Sequence, residues 1–313
     1  FAAITAAAGG LRVALLEPNE RLGKKLGITG KGRCNVTNHC TPEEALQQIP
    51  RGGRFLMSAL HRFTPEDTME FFESRRCPLK TERGNRVFPC SDKAVDVVDG
   101  LVRFAKTGGC RFRQGRAIRL LLEDGVCCGV ELENGERLEA YAVVVCTGGL
   151  SYPLTGSTGD GYALAAELGH TIVEPRGSLV PMESPDPACK KMQGLSLRNV
   201  DVKLLNSKGK AVYRDFGELL FTHFGVSGPT VLSASCHLKG NDCRLVLDLK
   251  PALDEGKLDS RILRDLEMYQ NRSMENALTD LLPRSMIPVV LRRAEIEPPL
   301  QANSLTRQKR RAL

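Results

Sequence analysis

The stretch ITGKGRCNVTN, residues 28–38, combines glycines, basic side chains, a cysteine and asparagines. Backbone N–H groups in a glycine-rich turn, together with lysine and arginine head groups, can bind an anion. The amides of Asn35 and Asn38 supply both donors and acceptors of hydrogen bonds. Four interpretations fit these residue types: a solvated turn, a nucleic-acid contact, a redox-active cysteine, or a cradle for an anionic cofactor.

An acidic residue shortly before this stretch favours the cofactor cradle. The chain begins with an alanine-rich segment predicted to be helical, followed by two glycines and the apolar run LRVALLE, which ends at Glu17. Helix, turn, buried strand and acid make the second half of a dinucleotide-binding βαβ unit, in which the acid binds ribose hydroxyls about 20 residues after a glycine fingerprint. That fingerprint would lie before residue 1. We therefore expect Glu17 to bind a ribose and the chain to be a fragment at both ends.

Cys34 is the candidate for thiol chemistry. Its neighbours Lys31 and Arg33 would favour the thiolate, the reactive form. However, the 11 cysteines include no C-x-x-C pair, so the sequence offers neither a nearby resolving thiol nor the ligand spacing of a zinc site. We predict reduced cysteines in a cytoplasmic protein, no metal site, and Cys34 as a packed neighbour of the cofactor rather than a redox centre.

Composition limits the class of protein. With 313 residues, 42% hydrophobic and 26% charged, the chain is typical of a globular protein of two or three domains. No apolar run reaches the roughly 18–20 residues that cross a bilayer, so no membrane association is expected. The formal net charge of +7 suits anionic small molecules as well as nucleic acid. The absence of clustered aromatic residues and basic stripes argues against a nucleic-acid groove, and we expect a small-molecule substrate.

Local patterns predict the elements of the first half. The segments TPEE at 41 and TPED at 64 each place threonine, proline and an acid at helix-starting positions, and a third helix is predicted over 92–106. Four short runs, CRFR, AIRLLLE, GVCCGVEL and ERLEA, predict an antiparallel meander with a turn at ENGE. The apolar run AYAVVVC predicts a buried strand that ends in TGG. Asp160 is predicted to cap a helix over 162–168, in a turn against the cofactor.

The second half changes character. Residues 178–250 contain short strands separated by Gly, Pro and Asn turns, with a short helix at PTVLSASCHL, and predict an antiparallel barrel or sandwich. From 254 to 313, leucine and isoleucine recur at helical spacing between prolines, which predicts a small helical subdomain.

Three long stretches resemble the signature motifs of the BaiN-like bacterial flavoproteins, also described as the aminoacetone oxidase family: LGKKLGITGKGRCNVTN, VVVCTGGLSYPLTGSTGDGYALAAELGH and GELLFTHFGVSGPTVLSAS. The resemblance runs over essentially the whole chain. It implies an α/β fold with a Rossmann-like FAD-binding domain at 1–176, an inserted β-barrel-like domain at 177–252 and a helical subdomain at 253–313. It also implies an FAD-dependent oxidoreductase that transfers hydride through the flavin, with NAD(P)H as electron partner.

The same resemblance implies which residues hold the cofactor. Glu17 would bind the adenosine ribose, Ala117 would contact the adenine through its backbone, and the 24–35 loop would follow the pyrophosphate and flavin. The predicted cofactor-binding set is Glu17, Lys24, Lys25, Gly30, Lys31, Gly32, Arg33, Cys34, Asn35, Ala117, Thr147, Gly148, Gly149 and Asp160. The glycine fingerprint and a C-terminal flavin-contacting segment of the family are absent from these residues, so we expect the full-length gene product to hold FAD and these residues alone to hold it poorly.

No catalytic side chain can be assigned from the sequence. The five histidines are scattered and no serine lies in a nucleophile elbow. His223, in FTHFGVSGP, is the histidine placed in a glycine-flanked loop where a substrate group could be met. Two other classes of function stay open: an FAD-dependent RNA-modifying enzyme, which the basic tail TRQKRRAL favours, and a non-catalytic flavin-binding scaffold.

Overall fold

The computed structural model describes residues 1–240 and 242–313. They form two compact units, Phe1–Glu174 and Pro175–Leu313, which are described separately. In the part of the chain so described, no helix combines the length and the apolar character needed to cross a bilayer.

Seven helices belong to the first unit: α1 Ala2–Ala8, α2 Lys24–Ile28, α3 Pro42–Gln47, α4 Gly53–Arg62, α5 Pro65–Glu73, α6 Ala94–Thr107 and α7 Asp160–Glu167. Short 3-10 turns cover Thr29–Gly32 and Pro153–Thr155. The helix starts predicted at Thr41 and Thr64 are confirmed, because each threonine forms a complete capping box with the acid three residues later.

The strands of the first unit are β1 Ala14–Glu17, β2 Thr37–Asn38, β3 Leu79–Glu82, β4 Arg86–Pro89, β5 Arg111–Gln114, β6 Ala117–Glu123, β7 Val126–Leu132 and β8 Arg137–Glu139. β1 and β5 are parallel, with Glu17 opposite Gln114. The other strands form two antiparallel sheets, in the orders β2–β4–β3 and β6–β7–β8. The run CRFR, predicted as part of the meander, therefore belongs to the parallel pair with β1.

The strand predicted at AYAVVVC, residues 140–146, does not form. The side chain of Tyr141 is fully exposed and that of Val144 is 72% exposed. A strand requires a neighbour that accepts and donates its ladder hydrogen bonds, and no described strand pairs with this run. The prediction was wrong because an apolar sequence specifies burial but does not supply the pairing partner.

The core of the first unit lies between the 29–35 loop and two helices. Cys34, Phe72, Cys77, Ala94 and Val97 make one buried cluster, with Cys34 only 1% exposed. The buried Cys34 side chain therefore packs the loop against α5 and α6.

The second unit is an antiparallel sheet with helices. Its strands, in the spatial order β13–β10–β11–β12–β9, are β9 Met182–Glu183, β10 Ser196–Leu205, β11 Ala211–Phe221, β12 Gly225–Ser227 and β13 Arg244–Asp248. Its helices are α8 Pro187–Lys191, α9 Pro229–Ser235, α10 Glu255–Met268, α11 Met274–Ala277, α12 Ile287–Arg293 and α13 Arg307–Ala312, with a 3-10 turn at Ala302–Ser304. One buried cluster joins strand residues such as Leu204 and Leu219 to helical residues such as Met274 and Leu291. The boundary predicted at 252/253 stays a prediction.

Candidate functional site

Glu17 lies at the carboxyl end of β1, the usual position of ligand-binding residues in parallel sheets. Its Oε1 accepts hydrogen bonds from the Asn19 backbone N–H at 3.0 Å and from Asn19 Nδ2 at 2.7 Å. The Gly115 N–H donates to the Glu17 carbonyl oxygen at 3.1 Å, which brings the start of β6 beside it. The second carboxylate oxygen, Oε2, makes no hydrogen bond to the described residues and is available to a ligand.

Asn19 joins this strand end to a distant loop. Besides Glu17, its Nδ2 donates to the Thr155 carbonyl oxygen at 3.1 Å, and Lys24 Nζ donates to its Oδ1 at 3.4 Å. Gly156, at φ +93°, approaches so closely that a Cβ there would lie 2.7 Å from Asn19 Nδ2. Sequence reasoning missed Asn19, although an asparagine two residues after a strand-ending acid signals a turn with side-chain hydrogen bonds.

Lys25, in α2, is hydrogen-bonded to the loop at 151–157. Its Nζ donates to the Ser151 carbonyl oxygen at 3.0 Å, to Ser151 Oγ at 2.8 Å and to Ser157 Oγ at 3.2 Å. Ser157 is only 5% exposed. The sequence predicted Lys25 as a cofactor contact, whereas in the structure its ammonium group braces residues 151–157. A cofactor contact by Lys25 stays a prediction, and Ser151 and Ser157 are further residues that the sequence did not indicate.

The Thr147–Gly148–Gly149 turn packs closely on the segment that leads into α7. Gly148 adopts φ +78°, and a Cβ there would lie 2.9 Å from Ser157 Oγ. A Cβ on Gly161 would lie 2.6 Å from Thr147 Oγ1. Thr147 and Gly148 are nevertheless exposed on their other side. The structure therefore brings this predicted turn to the loop that Asn19 and Lys25 hold, and leaves its backbone open to a ligand.

The 29–35 loop has an unusual backbone. Gly30, Lys31, Gly32 and Cys34 all have positive φ, at 56°, 60°, 83° and 61°. A Cβ on Gly30 would lie 2.9 Å from the Asn35 backbone nitrogen. The Asn35 side-chain amide, oriented with its nitrogen inward, reaches the Thr37 carbonyl oxygen at 2.9 Å and that of Val87 at 3.1 Å. Gly30, Lys31 and Gly32 are exposed, so these three form the open part of the loop.

Arg33 points away from the open part of the loop. Its Nε donates to Asp92 Oδ1 at 2.8 Å, it also pairs with Glu82, and its guanidinium carbon lies 4.1 Å from the centre of the Phe88 ring. Lys80 donates to the second Asp92 oxygen at 2.6 Å. The hydrogen bond from Arg33 lowers the pKa of Glu82. In the structure the Arg33 guanidinium anchors the loop to β3 and β4, and its predicted contact with a cofactor stays a prediction.

Cys34 has no open route to a cofactor through its sulfur. Its side chain lies in the core cluster with Phe72 and Cys77, and burial raises the pKa of its thiol. The basic neighbours that predicted a thiolate do not face it, since Lys31 is exposed and Arg33 is held by acids. The predicted contact between a cofactor and Cys34 stays a prediction, and the burial of the sulfur leaves only the Cys34 backbone to make it.

Ala117 and Asp160 are brought together through Arg116. Arg116 donates to both carboxylate oxygens of Asp160, at 2.8 Å each, and Thr158 Oγ1 donates to Asp160 Oδ1 at 2.8 Å. The hydrogen bonds from Arg116 lower the pKa of Asp160. Asp160 was predicted to be the helix cap, but Gly159 occupies the cap position and Asp160 is the first helical residue. This ion pair fixes Ala117, the next residue of β6, against α7.

His223 lies in the second unit, at the exposed turn between β11 and β12. Its ring is 5.0 Å from the Phe224 ring, in an edge-on arrangement, and Thr222 Oγ1 accepts from the Gly225 N–H at 3.1 Å. A catalytic role for His223 stays a prediction.

Comparison with known proteins identifies the family. A profile of the HI0933-like protein Rossmann domain matches residues 1–228, and a profile of the HI0933-like protein barrel and H2TH domain matches residues 176–313. The predicted fold class, a Rossmann-type α/β domain joined to a barrel and a helical part, is thereby confirmed.

Three relatives cover most of the chain. A ribosomal RNA dihydrouridine synthase of Escherichia coli is 30% identical over 288 residues, which is 92% of this chain and 69% of the relative. A 3-dehydro-bile acid delta(4,6)-reductase of Clostridium scindens is 28% identical over 97% of this chain and 75% of its own length. A ribosomal RNA dihydrouridine synthase of Haemophilus influenzae is 27% identical over 97% of this chain and 74% of its own length. The chain is a member of the HI0933-like family, and the BaiN-like resemblance read from its three motifs is confirmed.

Proposed function

We propose that this protein is an FAD-dependent oxidoreductase that receives electrons from NAD(P)H. The observation that carries the proposal is Glu17 at the end of a parallel strand, where its Oε2 makes no hydrogen bond to the described residues and its partner Asn19 is bonded to the loop that packs on the Thr147–Gly149 turn. Family membership and the similarity to a reductase support it. NAD(P)H as electron donor comes from the resemblance of the motifs.

The residues present fit a dinucleotide. A free carboxylate oxygen suits ribose hydroxyls, and backbone without side chains at Gly30, Gly32 and Gly148 allows close approach of a phosphate or ring. Lys31 is exposed and makes no ion pair with the described residues, so its ammonium group can meet an anion. When bound, FAD would supply the hydride chemistry, while these residues bind and orient it.

The names of the relatives suggest the class of reaction. Dihydrouridine is uridine with its ring double bond saturated, and that bond is conjugated with a carbonyl group. A delta(4,6)-reductase of a 3-dehydro-bile acid likewise acts on double bonds conjugated with a ketone. We therefore propose that this protein reduces a carbon–carbon double bond conjugated with a carbonyl, adding hydride to the β-carbon and a proton to the α-carbon. The substrate proposed first is a small organic molecule.

The test uses the purified full-length protein. Its visible spectrum is recorded after incubation with FAD, and NADH or NADPH is then added without oxygen. The proposal predicts a bound flavin spectrum that bleaches with one nicotinamide and recovers when a conjugated enone is added. A colourless protein that takes up no FAD would overturn it, and a bound flavin that neither nicotinamide reduces would favour the scaffold alternative.

An RNA substrate is the second candidate, because two of the three relatives are named for ribosomal RNA. In the second unit, α13 carries Arg307, Lys309, Arg310 and Arg311, of which Arg310 is paired with Asp259 at 2.7 Å. If RNA is bound there, affinity for a ribosomal RNA fragment should fall steeply between about 50 and 200 mM salt, and Arg307→Gln with Arg311→Gln should make that fall shallower. Absence of binding at low salt would leave the small molecule as substrate.

The redox state of the cysteines indicates the cellular compartment in which the protein works. All 11 are free, among them the exposed Cys90 and Cys146. Free thiols suit a reducing compartment, so we propose that the protein works in the cytoplasm.

A further inference from the structure

Tyr152 is a bulky residue in a backbone conformation that bulky residues avoid. Its φ and ψ are 56° and 63°, in the left-handed region. Glycine or asparagine normally fills such positions, and glycine is used at 156 and 159 a few residues later. A strained tyrosine in an otherwise glycine-rich loop points to a function for its side chain.

The strain is not offset by packing of the ring. The Tyr152 side chain is 67% exposed. Within residues 1–240 and 242–313, its ring makes no aromatic contact and its hydroxyl makes no hydrogen bond. The ring is therefore presented outward from the described residues.

The loop that presents the ring is fastened at both ends to the proposed cofactor site. On one side, Lys25 Nζ holds Ser151 through both its carbonyl oxygen and its hydroxyl. On the other side, Asn19 holds the Thr155 carbonyl oxygen, and Thr155 donates from its N–H at 2.9 Å and its Oγ1 at 2.6 Å to the Tyr152 carbonyl oxygen. A continuous path of hydrogen bonds thus runs from Glu17 through Asn19 and Thr155 to Tyr152.

We infer that the Tyr152 ring stacks on a planar heteroaromatic ring of the dinucleotide held at Glu17. This inference rests on the proposed function. An exposed aromatic ring gains stacking energy when another flat ring lies against it. The adenine and isoalloxazine rings of FAD are both flat. Anchoring by Asn19 and Lys25 fixes the ring in place beforehand, so that little conformational entropy is lost on binding.

Two substitutions of Tyr152 distinguish the effect of its ring on FAD binding from the effect of its backbone strain. Tyr152→Phe keeps a ring, whereas Tyr152→Asn removes it and suits the left-handed backbone. The matched control is Leu154→Ala, in the same loop, where the leucine is 88% exposed. The measurements are the Kd for FAD and the thermal midpoint of the full-length apoprotein.

Stacking predicts that Tyr152→Asn binds FAD roughly 5- to 150-fold more weakly, while its apoprotein melts at the wild-type temperature or higher. Tyr152→Phe and Leu154→Ala should bind FAD as the wild type does. A purely structural role would lower affinity and melting temperature together in Tyr152→Asn, and would overturn the inference. Wild-type affinity in that variant would overturn it as well.

The ring that is contacted follows from the same variants. Weaker binding of ADP to Tyr152→Asn assigns the stack to adenine, and weaker binding of FMN assigns it to isoalloxazine; either result supports the inference. A wild-type protein that takes up no FAD contradicts the proposed function itself. Normal FAD uptake by wild type and Tyr152→Asn alike contradicts the stacking alone.

Discussion

Replacement of Gly156 by alanine tests how the loop is joined to the end of β1. The new Cβ would lie 2.7 Å from Asn19 Nδ2, and φ is +93°. Forcing alanine into that backbone region costs about 1–2 kcal/mol. Displacing the Asn19 amide removes its side-chain hydrogen bonds to Glu17 and Thr155, which contribute about 0.5–1.5 kcal/mol each. We therefore expect a loss of about 2–5 kcal/mol in the stability of the first unit.

Gly169 is the matched control, since it has φ +82° and, apart from its chain neighbours, no heavy atom of the described residues lies within 4 Å of the position that a Cβ would take there. Gly169→Ala carries the backbone cost without the clash. The difference between the two variants, about 1–3 kcal/mol, should place the thermal midpoint of Gly156→Ala roughly 2–12 °C below that of Gly169→Ala.

A double-mutant cycle completes the assay. Asn19→Ala removes the side chain that the new Cβ meets, so adding Gly156→Ala to it should cost no more than Gly169→Ala costs alone. Equal melting temperatures of Gly156→Ala and Gly169→Ala would refute the contact between residue 156 and Asn19, and so would an unchanged cost of Gly156→Ala in the Asn19→Ala background.

The remaining predictions concern charge, thiol reactivity and loop mobility. Because Arg116 lowers the pKa of Asp160, the stabilisation from this pair is fully present above the ordinary value of 3.8 and is lost as pH falls through the lower folded value. Asp160→Asn should therefore flatten the acid limb of the unfolding curve, and an unchanged limb would contradict this. Iodoacetamide followed by peptide mapping should label Cys90 and Cys146 in the native protein well before buried Cys34; equal rates would refute the burial. Arg33→Met should speed hydrogen exchange over 29–35, with Arg83→Met as a control at a basic side chain that makes no ion pair in the described chain; equal exchange in both would show that the Arg33 pairs do not hold the loop.

Local signals predicted much of the fold. The helices after Thr41 and Thr64 follow from capping residues within four positions of each other, and β1 with its terminal Glu17 follows from a continuous apolar run. Features that depend on distant residues were not predictable in this way. The run at 140–146 is apolar but unpaired, because strand formation depends on a neighbour as well as on composition.

The candidate site was likewise predictable only where its residues follow local patterns. Glu17 is linked through Asn19 to the loop at 155–157, on which the Thr147–Gly149 turn packs, and the joint role of these residues in binding a cofactor stays a prediction. The roles of Lys25 and Arg33 were not foreseen, because their partners are far away in sequence: Ser157 lies 132 residues from Lys25, and Asp92 lies 59 from Arg33. A basic residue in a glycine-rich loop can bind an anionic ligand. Whether it instead binds a carboxylate, hydroxyl or carbonyl oxygen of the protein depends on the fold, which the local sequence does not specify.

The equilibrium affinity of the full-length apoprotein for FAD in Glu17→Gln tests the cofactor site at the end of β1 directly. Glu20→Gln is the control, because Glu20 is exposed and makes no ion pair with the described residues. A carboxylate that accepts ribose hydroxyls through a charge-assisted bond contributes about 1.5–3 kcal/mol, so Glu17→Gln should weaken FAD binding roughly 10- to 150-fold. Glu20→Gln should bind as the wild type does. Equal affinity of Glu17→Gln and wild type would contradict the assignment of the cofactor site to the end of β1.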